Sequence, residues 1–279
     1  MKENIRKNSV QTDLMEKENL KIALIPTDII SGEASKNITR INNRIKALDT
    51  NTDLVVLPEM VTTGFSLDRD FVEKVSEESD GPSISRLKEI ASEHSVGICG
   101  TFSCVNAGKY YNRGFLIDPD TDEIFFHDKR HLFSIGGEKT VYDPGNDGPE
   151  IVTFRGWNIR LCICYDIRFP VWCRNKVCEY DLLIVPANWP ESRKYAWRQL
   201  LIARAIENQS YVCGCDRLGS DHYGNYNDDM SYIFDNRGKD ISEFHDNGII
   251  YADLSKSRLI RDREKFGTWR DADSFKIDF

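Results

Sequence analysis

The chain has 279 residues, of which 40% are hydrophobic and 29% are charged, and its formal net charge is −8. Nucleic acids and anionic membranes select basic surfaces, so this acidic composition argues against both as partners. No apolar run approaches the roughly 18 residues of a membrane-spanning helix, and we expect a soluble protein with a substantial core.

The chain begins with a polar segment, MKENIRKNSVQTDLMEKEN, which lacks the apolar centre of a secretory signal. Little of this segment can be buried, so residues 1–19 are predicted to form a loosely held leader. Residues 20–279 show no linker-like stretch and no short repeat, and we expect them to form one domain.

Strands and helices alternate through the first half of the domain. Residues 21–29 (KIALIPTDI) are predicted to form a buried strand, and residues 34–48 space apolar side chains three and four apart, as on one face of a helix. Residues 53–59 (DLVVLPE) form a short continuous apolar run, which is typical of a strand covered on both faces. Another helix is predicted to begin at Asp80-Gly81-Pro82, and strands follow at 96–105 and in the hairpin 112–129.

The second half repeats this pattern after a glycine-rich loop at 130–150. A hairpin turning at Arg155-Gly156 is followed by predicted helices at 170–179 and 191–209 and by predicted strands at 181–189, 210–217, 230–236 and 248–254. Such alternation, with some strands in hairpins, is typical of an α/β fold. The pattern alone leaves open whether the strands form one mixed sheet or two packed sheets.

The eight cysteines do not indicate a disulfide framework, because such frameworks belong to small secreted chains. Two pairs, Cys162 with Cys164 and Cys213 with Cys215, lie two residues apart in predicted strands. Their Cα atoms would be roughly 6.5–7 Å apart, at the limit of what a disulfide spans. We therefore expect free thiols and a cytoplasmic location.

Three reactive side chains end apolar strands: Glu59 after LVVLP, Lys129 after EIFFHD, and Cys164 after NIRLCI. In α/β folds the ends of the strands border the crevices in which ligands bind. Together the three side chains form a coherent hydrolytic set. A thiolate is a nucleophile, a buried carboxylate can accept the thiol proton, and an ammonium group can stabilise an oxyanion.

Each of these residues also has a structural interpretation. A cysteine in a strand is usually a small core residue, Glu59 can cap the next segment, and Lys129 can be a solvated strand end. His131 offers a Cys–His dyad as another alternative, although it falls in a predicted loop without an evident orienting partner. A zinc site is disfavoured because no CxxC motif occurs among the candidate thiols, which are Cys162, Cys164, Cys213 and Cys215.

At these residues the sequence resembles the nitrilase superfamily, the carbon–nitrogen hydrolases. LVVLPEMVTTGFS is similar to the glutamate block of that family, FFHDKRHLF to its lysine block and CICYDIRFP to its nucleophile block. The resemblance covers roughly residues 20 to 260. It implies Glu59 as the general base, Lys129 as the oxyanion stabiliser and Cys164 as the nucleophile, which leaves Cys162 as a packing residue.

The same resemblance implies further features of the site and the fold. The backbone N–H of Tyr165 would complete the oxyanion hole, and Glu138 matches a further glutamate that positions substrate near the lysine. The implied fold is a four-layer α-β-β-α sandwich of two mixed β-sheets covered by helices. It would dimerise through its helices, as a homodimer or a higher homo-oligomer, and would need no cofactor and no metal.

Two longer segments, RHLF…GGE…Y…PGN and WRQLLIARAIENQSYV, look most like the omega-amidase branch. That branch deamidates 2-oxoglutaramate and 2-oxosuccinamate, so a small linear amide is the expected substrate. A nitrilase or an N-carbamoyl hydrolase with the same three residues, and a catalytically silent binding protein, are the alternatives. The sequence departs from the family pattern at four positions: Pro26, Asp216, Asp229 and Met230. The last two of these fall in loops that can border the pocket.

Four further residues are candidates for substrate contacts because of their positions. Asn188 and Trp189 end an apolar strand at the same rim, where an aromatic wall suits a small amide. Arg168 can pair with a substrate carboxylate or, alternatively, form a salt bridge with Asp166 or another core acid. Phe133 is expected either in the core or in the pocket.

Overall fold

The computed structural model describes residues 17–121, 123–146, 148 and 150–278. Most of the predicted leader, residues 1–16, lies outside the described part of the chain. Its last residues are attached to the domain, since the carbonyl of Lys17 accepts a hydrogen bond from Trp157 Nε1 at 2.9 Å and the first strand begins at Asn19. Within these ranges no helix is long and apolar enough to cross a membrane.

The strands in the described ranges are β1 Asn19–Leu24, β2 Leu54–Val56, β3 Gly97–Asn106, β4 Lys109–Ile117, β5 Ile124–Asp128, β6 Ile151–Phe154, β7 Trp157–Leu161, β8 Leu182–Ala187, β9 Tyr211–Asp216, β10 Gly219–Asp221, β11 Gly224–Tyr226, β12 Tyr232–Phe234, β13 Glu243–Phe244 and β14 Ile250–Ser255. The α-helices are α1 Ala34–Ile45, α2 Arg69–Val75, α3 Pro82–His94, α4 Pro170–Cys173, α5 Lys194–Asn208 and α6 Lys256–Lys265.

These strands form two mixed sheets and a small hairpin. The seven-stranded sheet has the order β13-β14-β1-β2-β3-β4-β5, the five-stranded sheet has the order β12-β9-β8-β7-β6, and β10 pairs with β11. The central pairs β1–β2, β2–β3, β7–β8 and β8–β9 are parallel, whereas the outer pairs of both sheets are antiparallel. Two mixed sheets were predicted, and the structure confirms them.

The layers of the fold can be recognised because the two faces of a strand are buried in different core clusters. Leu54 and Val56 of β2 belong to a core cluster that also contains Ile184 and Cys213 of the other sheet. Val55, between them in sequence, packs in a second cluster with residues of α1 and α3. A third cluster joins the outer face of the five-stranded sheet to α5. Because successive strand residues point to opposite faces, the continuous apolar run of β2 serves both layers.

Two predicted helices are wrong in extent. The helix predicted at 170–179 ends after one turn, since α4 is followed by a separate 3₁₀ turn at Lys176–Cys178. The side chain of Asn175 accepts a hydrogen bond from the Tyr180 amide at 3.1 Å and donates one to the Tyr180 carbonyl at 2.9 Å, which turns the chain away from the helix axis. The helix predicted at 191–209 is divided into a 3₁₀ turn, Glu191–Arg193, and α5.

Candidate active site

Glu59 lies where the ends of the two sheets meet. It follows β2 by three residues, and its backbone N–H donates to the carbonyl of Ala187, the last residue of β8, at 3.4 Å. Glu59 is 1% exposed. Oε1 accepts a hydrogen bond from Asn112 Nδ2 at 2.7 Å, and Oε2 accepts one from the backbone N–H of Asn188 at 2.8 Å. The carboxylate is therefore fixed in orientation rather than solvated, unlike a residue that merely caps a segment.

Cys164 occupies a sharp turn after β7. It begins a short 3₁₀ helix, Cys164–Arg168, and its φ angle of +44° lies in the left-handed region, which is uncommon for residues other than glycine. The Asp166 carboxylate stabilises this turn by accepting the N–H of Ile163 at 3.0 Å. Because a helix leaves its first N–H groups without internal acceptors, the amide of Tyr165 is available beside the thiol.

Lys129 follows β5 and is bonded to two carboxylates. Its Nζ donates to Glu59 Oε1 at 2.9 Å and to the two oxygens of Glu138 at 2.9 Å and 3.0 Å. Lys129 is 2% exposed, so the predicted alternative of a solvated strand end is wrong. Glu138 is held in turn by the backbone N–H of Phe133, which donates to Oε2 at 2.6 Å.

Burial and the neighbouring charges shift the pKa values of Lys129 and Glu138 in opposite directions. Burial by itself lowers the pKa of Lys129, but the charges of Glu138 and Glu59 outweigh it and hold that pKa well above its ordinary value. Burial raises the pKa of Glu138, and the charge of Lys129 opposes this shift. The lysine is therefore charged at neutral pH and carries a fixed positive charge at the centre of the site.

The thiol of Cys164 is protonated in the resting site. Burial, followed by the charge of Glu59, raises its pKa well above the ordinary value, while Lys129 and a hydrogen bond to the Asn188 carbonyl act in the opposite direction. The Sγ–O distance of that hydrogen bond is 3.9 Å. A protonated thiol is a poor nucleophile, so chemistry at this sulfur needs a base, and Glu59 is the adjacent carboxylate.

A cavity of about 160 Å³ brings these groups together. Its wall contains all nine residues predicted for the catalytic and substrate-binding site of a hydrolase. It is lined by Glu59, Phe65, Leu67, Lys129, Phe133, Gly136, Glu138, Cys164, Tyr165, Arg168, Asn188, Trp189, Pro190, Arg193, Tyr223 and Tyr226. The position of each candidate is thereby established, and their roles in catalysis and binding remain predictions.

The side chains of Asn188 and Arg168 in this wall form no hydrogen bond or ion pair within the described part of the chain. Both polar atoms of the Asn188 carboxamide are buried without a hydrogen bond. The Arg168 guanidinium lies 4.8 Å from the Trp189 ring and 6.0 Å from the Tyr165 ring, and it forms no ion pair with a described residue. The alternative in which Arg168 pairs with Asp166 is wrong, because Asp166 bonds the Ile163 and His131 amides and the His131 ring.

The alternative functional sites are not assembled. His131 has an orienting partner after all, since its Nδ1 lies 2.8 Å from Asp166 Oδ1, but the ring stacks on Phe169 at 3.7 Å and does not line the Cys164 cavity. The four thiols considered for zinc are divided between two core clusters, Cys162 with Cys164 and Cys213 with Cys215. All eight cysteines are free.

Sequence reasoning missed several residues of the site. Asn112 bonds Glu59 from β4, but an asparagine in a strand gives no signal of its partner. Tyr223 and Tyr226 reach the cavity from the β10–β11 hairpin, where the aromatic-rich segment HYGNY was the available signal. Of the family departures, Asp229 pairs with Lys194 and Met230 is buried in the core, and neither lines the cavity.

Comparisons with known proteins identify the family of the chain. The carbon–nitrogen hydrolase family model matches residues 21–264. Omega-amidase YafV of Escherichia coli strain K12 is 36% identical over 92% of this chain and 98% of that protein. The 2-oxoglutaramate amidase of Bacillus subtilis strain 168 is 32% identical over 86% of this chain and 93% of that protein.

Solved structures of two members of the superfamily have the same fold. XC1258 of Xanthomonas campestris, a CN-hydrolase superfamily protein with an arsenic adduct in its active site, superposes with a TM-score of 0.87 at 32% identity, over 94% of this chain and all of that one. Nit3 of Saccharomyces cerevisiae, from branch 10 of the nitrilase superfamily, has a TM-score of 0.79 at 26% identity, over 90% of this chain and 96% of its own.

Proposed function

This chain belongs to the carbon–nitrogen hydrolase family and is an amidase-type hydrolase, and we propose that it hydrolyses the ω-amide of a 2-oxo dicarboxylic acid through a thioester on Cys164. The observation that carries the proposal is one cavity in which a thiol, a carboxylate and an ammonium group meet an arginine that forms no ion pair with any described residue. The candidate substrates are 2-oxoglutaramate and 2-oxosuccinamate.

In the acylation step Glu59 is the general base. Its carboxylate accepts the proton of the Cys164 thiol as the sulfur attacks the amide carbon, and the carbonyl oxygen becomes an oxyanion. Lys129 and the backbone N–H of Tyr165 stabilise that charge, which is the contribution expected of donors that are already in place before the reaction. The contact between Lys129 and Glu59, 2.9 Å, supports this arrangement.

The intermediate then collapses and the C–N bond breaks. Glu59 returns the proton to the leaving nitrogen, ammonia departs, and the acyl group remains on Cys164 as a thioester. Glu59 next takes a proton from water, whose oxygen attacks the thioester carbon. The C–S bond breaks, the carboxylic acid leaves, and the sulfur recovers a proton, so that the sum is amide plus water to acid plus ammonia.

Glu138 is proposed to act through Lys129. Its two oxygens hold the ammonium at 2.9 Å and 3.0 Å, while the Phe133 amide holds Glu138 itself. This second carboxylate fixes the ammonium in place even while Glu59 is protonated during the reaction. Glu59 is thereby free to exchange its proton without releasing the lysine.

The far end of the substrate is proposed to lie against Arg168. Guanidinium groups bind carboxylates through paired hydrogen bonds, and Arg168 has no acid of its own among the residues described. Trp189 and Phe133 form apolar walls for the methylene groups. The buried carboxamide of Asn188, which lacks a partner, is the candidate to contact a polar group of the substrate.

Ammonia release from a panel of substrates tests the proposal. The panel contains 2-oxoglutaramate, 2-oxosuccinamate, simple aliphatic amides, carbamoyl amino acids and nitriles, with Cys164→Ala protein as the blank. We expect the highest kcat/KM for the two 2-oxo-acid amides and a raised KM for them in Arg168→Gln. Faster turnover of nitriles, carbamoyl compounds or uncharged amides would assign a different acyl group.

A homodimer and a cytoplasmic location complete the proposed function. Apolar side chains are exposed on the helices of the five-stranded sheet, with Tyr195 81%, Val171 55% and Ile206 51% exposed, and such a surface suits subunit contact. The free cysteines suit a reducing compartment. Light scattering of the purified protein tests the first proposal, and a monomer would contradict it.

A further inference from the structure

A second arginine, Arg193, lies at the wall of the Cys164 cavity. It belongs to the 3₁₀ turn Glu191–Arg193 that follows β8. Two basic residues that follow it in sequence are paired, Lys194 with Asp229 and Arg198 with Asp240 at 3.6 Å. The Arg193 side chain has no hydrogen bond or ion pair with any residue in the described ranges. Asp229 and Asp240 are thus paired with other basic residues.

The position of Arg193 is nevertheless well defined. Its backbone N–H donates to the Pro190 carbonyl at 2.9 Å, and its own carbonyl accepts the indole N–H of Trp189 at 2.9 Å. The guanidinium lies over the Phe133 ring, 5.3 Å from the centroid. Two aromatic residues of the cavity wall therefore fix both the backbone and the charged group of Arg193.

Arg168 and Arg193 lie on one aromatic surface. Arg168 lies over Trp189 and Tyr165, and Arg193 lies over Phe133, which contacts Tyr165 with ring centroids 5.1 Å apart. The carboxylates inside the cavity are already bonded to Lys129. Two like charges facing one cavity repel each other, and an anionic ligand placed between them relieves that repulsion.

We propose that Arg193 is a second carboxylate-binding residue and that, with Arg168, it makes the enzyme selective for amides whose far end is a carboxylate beside another oxygen acceptor. The inference rests on the proposed function and adds a specificity determinant to it. A 2-oxo acid fits because its carboxylate and ketone present adjacent acceptors, and two planar guanidinium forks can bind them from two sides.

The experiment compares Arg193→Gln with Lys194→Gln, which removes the same charge from the next residue, outside the cavity. The readout is the ratio of kcat/KM for 2-oxoglutaramate to kcat/KM for pentanamide, an uncharged amide of similar length. We expect this ratio to fall on the order of 10- to 100-fold in Arg193→Gln, mainly through KM. Lys194→Gln should leave it within about 2-fold, and Arg193→Lys should restore part of it.

A binding measurement keeps the test independent of turnover. Calorimetry of 2-oxoglutarate with Cys164→Ala protein should show a similar loss of affinity when Arg193→Gln is added. Equal ratios and equal affinities in Arg193→Gln and Lys194→Gln would overturn the role of Arg193 while leaving the proposed function intact. Wild-type enzyme that prefers pentanamide would instead refute the proposed substrate class.

Discussion

Glu59 Oε2 accepts the backbone N–H of Asn188 at 2.8 Å, and this hydrogen bond joins the ends of the two sheets at the active site. Glu59 follows β2 of the seven-stranded sheet, and Asn188 follows β8 of the five-stranded sheet. The carbonyl of the same Asn188 accepts the Cys164 thiol at 3.9 Å. One residue thus orients both the base and the nucleophile, so the packing of the two sheets sets the distance between them.

Two cysteines two residues apart should respond differently to substitution. Cys164→Ala is expected to abolish ammonia release, because the sulfur that lines the cavity is lost. Cys162→Ala should keep most of the activity and lose roughly 1 kcal/mol of unfolding free energy, since Cys162 is fully buried and packs 3.7 Å from the sulfur of Cys173. Initial rates and denaturant unfolding measure the two effects, and equal loss of activity in both variants would contradict the assignment.

The reactive residues were accessible to sequence reasoning because each lies within three residues of the end of an apolar strand. Strand ends can be recognised locally, and the order of strands in an α/β fold then implies a shared rim. The partners of those residues depend on distant packing instead. Asn112 reaches Glu59 across 53 positions and His131 reaches Asp166 across 35, and no local pattern predicts either contact.

The predicted helix boundaries were wrong for a different physical reason. The segment after β7 has helical composition, but the side chain of Asn175 bonds the backbone of Tyr180 and breaks the helix. Such competition between a side chain and the backbone is decided by tertiary contacts, here including Asn208, whose Oδ1 accepts the Asn175 amide at 2.9 Å. Arg193 was missed similarly, because it was assigned to a continuous helix rather than to the turn that faces the cavity.

Lys129→Met tests whether the ammonium group is catalytic. We expect kcat to fall by at least about 100-fold, because a preorganised donor to the oxyanion is lost. The variant should also lose about 3 kcal/mol of unfolding free energy, since Glu59 and Glu138 are left buried without their counter-charge. Circular dichroism and denaturant unfolding check that the variant still folds.

The double variant Lys129→Met/Glu138→Gln separates stability from catalysis. Neutralising one of the two carboxylates should recover part of the lost stability, because the remaining like-charge repulsion between Glu59 and Glu138 disappears. Activity should not return. A double variant that regains both stability and turnover would show that Lys129 serves the fold alone.

Asp216→Asn should stabilise the protein near neutral pH. Asp216 is fully buried, its Oδ1 accepts the Trp189 amide at 2.7 Å, and its Oδ2 has no partner among the described residues. Burial raises the pKa of this carboxyl well above its ordinary value. This carboxyl therefore lowers the unfolding free energy progressively as the pH rises from the unfolded-state pKa of about 4 to the folded-state pKa.

Asparagine keeps the Oδ1 acceptor and carries no charge at any pH. The unfolding free energy of Asp216→Asn should exceed that of the wild type near neutral pH, because the wild-type carboxyl ionises more readily in the unfolded state. The gain should shrink as the pH falls through about 4, because below that pH the aspartate is protonated in both states. Denaturant unfolding across this pH range provides the measurement, and a gain that grows on acidification would contradict the sign.

Glu59→Gln should separate the electrostatic effect of Glu59 from its role as a base. After burial, the charge of Glu59 is the next cause that raises the pKa of the Cys164 thiol, while Lys129 lowers that pKa. The isosteric glutamine removes the negative charge and leaves the ammonium in place. The thiolate should therefore form at lower pH than in the wild type, although hydrolysis is lost for want of a proton acceptor.

The ultraviolet absorbance of the thiolate, followed against pH with Cys164→Ala variants as blanks, measures this shift. Glu138→Gln is the matched control, because it removes the same charge from the other carboxylate bonded to Lys129, and it should shift the titration less. A thiol pKa in Glu59→Gln that is unchanged or raised would show that Glu59 does not oppose the thiolate. The hydrolytic rate gives the second readout, and retained turnover in Glu59→Gln would assign the proton transfer to another group.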